Sequence, residues 1–92
     1  MSILSQDQVQ TAIKQLPGWE YKDSSIFKTF KFDNYMASID FINLLAKKAE
    51  AFNHHPDMAV GWCQVDIAFT SHEHGGVTTS CIEMGRITDS II

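Results

Sequence analysis

All four histidines of the 92-residue chain lie in two short stretches. One is Glu50-x-x-x-His54-His55-Pro56; the other is Ser71-His72-Glu73-His74. Imidazole has an ordinary pKa of about 6.5, nearer to neutral pH than that of other side chains. That suits general acid–base catalysis, where one well-placed group is worth roughly 10²–10⁴-fold. Two imidazoles on opposite sides of a ligand would let one proton arrive as another departs. Pro56 restricts the backbone of His55 to extended values, which helps to fix the direction of the adjacent pair. A second reading of His54-His55 stays open on spacing alone: a solvated cation at a helix C-terminus, favoured by the helix dipole.

Metal binding is the rival chemistry. Glu50, His54, His55, Cys63, His72 and His74 are all of ligand type. No H-x₃-H, HExxH or CxxC spacing is present, so neither a metal nor another cofactor is expected. No GxGxxG, P-loop or GxSxG motif is present either. Gly75-Gly76 reads as a loop before a helix. Trp62 is a candidate aromatic wall for a flat bicyclic ligand.

The bulk composition narrows the setting. With 45% hydrophobic and 20% charged residues, the chain can form a core. Its length suits one domain over residues 1–92, and association into oligomers would help so short a chain. A formal charge of −4 argues against a phosphate-backbone partner. The two cysteines, Cys63 and Cys81, do not suggest a disulfide scaffold. The first residues, Met1 to Gln6, carry no basic, apolar targeting pattern, and no apolar run is long enough to span a membrane. A cytoplasmic protein is expected.

The elements that must position the histidines follow from periodicity. Ser5 and Gln8 read as a capping box, with Leu4 and Val9 as a hydrophobic staple. Val9, Ala12, Ile13 and Leu16 form a helical stripe that Pro17-Gly18 ends. Trp19–Lys22 and Ile26–Phe32 flank Asp23-Ser24-Ser25 as a β-hairpin. Asp33 or Asn34 caps a helix bearing Tyr35, Ile39, Ile42, Leu45, Ala46 and Ala49, which runs to about Ala51. Met58–Val60 reads as a short strand. Val65, Ile67 and Phe69 alternate as in a half-buried strand. A last helix begins near Thr78 to Ser80 and carries Met84, Ile87 and Ile91. The order α-β-β-α-β-β-α predicts an α+β fold: a four-stranded antiparallel sheet with helices on one face.

The pattern Glu50-x₃-His54-His55-Pro56-x₅-Trp62-x₉-His72 resembles the signature of the pterin-4a-carbinolamine dehydratase family. That family includes the dimerisation cofactor of a homeodomain transcription factor. Flanking segments resemble it too: Leu16-Pro17-Gly18-Trp19, Ile26-Phe27-Lys28-x-Phe30-x-Phe32, Val65-x-Ile67-x-Phe69-Thr70-Ser71-His72 and Gly75-Gly76-Val77-Thr78. The likeness runs from about residue 10 to residue 90. It implies the same α+β sandwich, assembled as a homodimer or homotetramer. It implies a dehydratase of 4a-hydroxytetrahydropterin, with His54, His55 and His72 as the catalytic histidines. Pterin contacts carry over onto Asn53-His54-His55 and Thr70-Ser71-His72-Glu73, with Glu50 and Trp62 beside them. His74 has no counterpart and is expected on the surface. In the implied reaction His54 and His72 share the acid and base roles, His55 positions the pterin, and Glu50 orients a histidine or a polar ring edge. One position departs from the pattern. Family members carry an acidic residue where the last helix opens, and this chain has Cys81. That acid is read either as an N-cap partner or as a support of the active site. The alternative function is a catalytically weak member that binds a protein partner or another pterin.

Overall fold

The computed structural model describes residues 3–92. The expectation that Met1 and Ser2 carry no targeting signal lies outside them. Helix α1 (Gln6–Ile13) opens on the expected reciprocal cap. The Gln8 N–H donates to Ser5 Oγ at 3.1 Å, and the Ser5 N–H donates to Gln8 Oε1 at 2.8 Å. The helix stops at Ile13, before Leu16, which is buried from the following turns instead.

Strands β1 (Glu20–Lys22) and β2 (Ser25–Lys31) form the hairpin. Its turn is two residues long, shorter than the expected three, because Lys22 pairs with Ser25. Asp23 and Ser24 both take positive φ, 52° and 65°, the geometry that matches the twist of flanking strands. Helix α2 (Tyr35–Phe52) is capped by Asn34, whose side chain accepts the Ala37 N–H at 2.8 Å.

The buried face of α2 is Ser38, Phe41, Leu45 and Ala49. The expected stripe is therefore displaced: Tyr35 and Ala46 are exposed. The cause is Phe41, whose ring packs on Phe30 and Phe32 at 5.0 and 5.2 Å and turns that side of the helix to the sheet.

Strands β3 (Asp57–Val60) and β4 (Gln64–Phe69) and helix α3 (Thr79–Ile91) complete the order α-β-β-α-β-β-α. The sheet is antiparallel throughout, in the order β1-β2-β4-β3. Ile26, Phe30, Val65, Ile67 and Phe69 point to the helices and form the core with Leu45, Ala49, Ile82 and Met84. On the opposite face Thr29, Lys31, Gln64 and Asp66 meet solvent. Gly85 lets α3 approach closely, since a Cβ there would lie 3.3 Å from Leu16 Cδ1 and 3.4 Å from Ile26 Cδ1. The far end of α3 is clamped by Asp89. Its carboxylate accepts from Lys28 Nζ at 2.9 Å and from Trp19 Nε1 at 3.1 Å.

Candidate active site

Antiparallel pairing brings the two histidine segments together. Asp57 at the start of β3 pairs with Ala68 near the end of β4. The chain thus enters β3 where it leaves β4, and residues 53–57 lie beside residues 70–74. The end of α2 and the start of α3 meet at the same end of the sheet, joined by a contact between His54 and Cys81.

Asn53 ends α2 in the left-handed conformation, with φ 50°. Its N–H is taken by the Ala49 and Glu50 carbonyls, and the His54 N–H donates to the Ala49 carbonyl. This reversal turns successive side chains apart. The half-buried His54 ring stacks on Phe69, with centroids 6.0 Å apart and planes at 16°. Its Nε2 lies 3.2 Å from Cys81 Sγ. His55 points outward, with Nε2 2.5 Å from Glu50 Oε2. His72 is exposed, with Nε2 3.5 Å from Asp57 Oδ2.

Burial pushes the pKa of His54 below its ordinary value, and the nearby His55 and His72 push it further the same way. All three imidazoles therefore share one electrostatic neighbourhood, and the lowered pKa leaves His54 uncharged at neutral pH. A neutral imidazole keeps one ring lone pair, which can accept a proton.

The remaining candidates divide between rim and scaffold. The Thr70 hydroxyl donates to the Ser24 carbonyl at 2.6 Å, tying this rim to the β1–β2 turn. Ser71 Oγ accepts the His74 N–H at 3.2 Å and lies 2.8 Å from His74 Nδ1. His74 is thus half-buried and hydrogen-bonded, not a free surface residue. Glu73 is exposed on the same loop. Trp62 does not join the group. It lies on the β3–β4 turn, at the opposite end of β4 from His72, and is 82% exposed. Lys31, Phe32 and Gln64 surround the hollow beside it.

The site is open. The crevice reached by His54 holds about 70 Å³ and is lined by Phe52, Ser80, Glu83 and Met84. Enclosing ligand pockets run to roughly 300–1,000 Å³, so this crevice is too small to enclose a bicyclic ligand. Among the described residues no three His, Cys, Asp or Glu side chains are grouped to hold a metal ion. Two contributors were not read as site residues from the sequence: Asp57 and Phe69. Asp57 directly follows Pro56, and its acidic side chain so close to the His-His-Pro run was the available signal. In the sequence Cys81 stands out only as a departure from the family pattern where the last helix opens.

The family model for pterin 4 alpha carbinolamine dehydratase matches residues 2–91. This chain belongs to that family. A Mycolicibacterium vanbaalenii protein, named as an inferred pterin-4-alpha-carbinolamine dehydratase, is 36% identical over 92 residues, all of this chain and 99% of the relative. A Picosynechococcus protein of the same name is 34% identical over 88 residues, covering 96% of each chain. The fold matches the crystal structure of a Brucella melitensis transcriptional coactivator/pterin dehydratase. That match has a TM-score of 0.94 and 29% identity, and covers 98% of both chains. A pterin dehydratase-like protein, described as a RuBisCO assembly factor in the alpha-carboxysome, shares the fold at TM-score 0.67 and 22% identity over 79% of this chain. The pterin dehydratase fold is thus the three-helix, four-strand arrangement expected from the sequence.

Proposed function

We propose that this family member dehydrates 4a-hydroxytetrahydropterin to quinonoid dihydropterin and water, in tetrahydrobiopterin recycling. One observation supports this above the others: the half-buried His54, stacked on Phe69, shares one end of the sheet with the exposed His55 and His72, and burial lowers its pKa. The reaction needs one proton delivered and one removed, with no change of oxidation state. The N5 lone pair drives out the C4a hydroxyl as the C4a–O bond breaks. An acid protonates that hydroxyl, which leaves as water. A base then takes a ring proton.

His54, uncharged at neutral pH, is the base. His72, beside Asp57, is the acid. His55 positions the pterin and is itself oriented by Glu50. Asn53 and Glu73 flank the ring, and Thr70 and Ser71 shape the rim, their hydroxyls being engaged within the protein. Trp62 has no part in this site within a single chain. The protein works in the cytoplasm as a homodimer or homotetramer, without cofactor, nucleic acid or membrane. Among the described residues no helix is long and apolar enough to cross a membrane.

Turnover of freshly prepared 4a-hydroxytetrahydropterin tests the proposal. His54→Ala and His72→Ala should each slow it by roughly 10²–10⁴-fold. Unchanged turnover in both would sink the assignment. A second reading, a catalytically weak chain that docks on another protein, draws support from the coactivator and assembly-factor descriptions of the two structural relatives. The unmodified protein failing to accelerate the dehydration would favour it.

A further inference from the structure

We infer that Cys81 is a positioning residue for His54: its sulfur accepts the imidazole Nε2–H and leaves Nδ1 to face the chemistry. The kinetic part of this inference rests on the dehydratase reading; the contact itself does not.

Cys81 is the third residue of α3 and is fully buried. Three polar atoms surround its sulfur: His54 Nε2 at 3.2 Å, Thr78 N at 3.5 Å and Thr78 Oγ1 at 3.7 Å. The Thr78 N–H can only donate, so the sulfur accepts there. The thiol hydrogen can turn to Thr78 Oγ1, which leaves a sulfur lone pair directed at Nε2. A neutral imidazole carries one N–H and one lone pair. With the N–H committed to sulfur at Nε2, the lone pair is at Nδ1. The stack on Phe69 restrains the ring plane, and the sulfur contact restrains rotation within it.

Sulfur suits this role because it is a weak acceptor. A carboxylate in its place would orient the ring equally well. It would also draw a proton onto it, since a nearby negative charge favours imidazolium. Burial and the charges of His55 and His72 act in the opposite sense, and with a thiol they go unopposed. The cap of α3 and the orientation of His54 are thus functions of one atom.

The test combines ¹⁵N NMR of the histidine rings with kinetics on wild type, Cys81→Asp, Cys81→Ala and Cys81→Ser. Wild-type His54 should be the Nε2–H tautomer, titrating below its ordinary value. Cys81→Asp should move its midpoint upward by about one pH unit or more, and the acid limb of the kcat/KM profile should move with it. Cys81→Ala should lower kcat about tenfold with KM nearly unchanged, and Cys81→Ser should restore part of the loss. An Nδ1–H tautomer in the wild type overturns the inference, even if every variant misfolds. So does an identical His54 midpoint in wild type and Cys81→Asp, or an unaltered kcat in Cys81→Ala. If the wild type turns over no pterin, the dehydratase reading falls alone, and the tautomer and midpoints still decide the role of Cys81.

Discussion

His54 has its pKa lowered by folding, and the sign of that shift has a measurable effect on stability. In the unfolded chain its pKa is near 6.5; in the folded protein it is lower, because burial and then the charges of His55 and His72 disfavour the imidazolium. Between those two values the unfolded chain binds more protons. The contribution to stability is therefore full above about pH 6.5, is lost as pH falls toward the folded value, and is level below it. Urea midpoints measured between pH 5 and pH 8 should show this slope, and His54→Gln should flatten it. A slope that survives in His54→Gln would assign the effect to another group. The histidines themselves were legible in the sequence, because they are few and confined to two stretches. What His54 touches was not. Its sulfur partner is 27 residues away along the chain, and its aromatic partner, Phe69, reads from local pattern only as an inward-facing strand residue.

At the scale of elements, the alternation of β4 and the capping residues carried most of the legible information. The β4 pattern Val65, Ile67, Phe69 is wholly buried, as alternation required. The buried face of α2 was less legible, since apolar residues occupy more than one side of that helix. Only the rings of Phe30 on β2 and Phe32 just past it select Phe41 rather than Ile42. The clamp at the end of α3 was equally hidden, because it joins residues 61 and 70 positions apart. Lys28 and Asp89 are each less than one-third exposed, so their contact is partly shielded from water. Lys28→Met should leave Asp89 with Trp19 as its one remaining partner in the clamp and lower stability by about 1–2 kcal/mol. Chemical denaturation checks this, and a change within 0.3 kcal/mol would place the clamp among ion pairs of no consequence.

For the molecule as a whole, the order of elements and the sheet's single covered face were legible, but the surfaces available to partners were not. Hydrophobic patterning says which residues leave water, not which chain covers them. Strand β3 is an edge, pairing only with β4, and all four of its residues are exposed, including Met58 and Val60. An uncovered apolar edge is a template for pairing with another chain. Sedimentation should therefore find an assembly larger than the 10.4 kDa chain. Val60→Lys should shift it toward the monomer with little loss of secondary structure. A wild type that sediments as a monomer at micromolar concentration would refute the oligomer expected here. The hydroxyl of Thr70 held by the carbonyl of Ser24 has a consequence of its own. Through that tie, and the pairing of Ile26 with Phe69 beside it, the loop carrying His72 takes its height from a hairpin 46 residues earlier in the sequence. Lengthening or shortening that hairpin would be felt first by a docked ring, as altered affinity, well before the melting temperature recorded any damage.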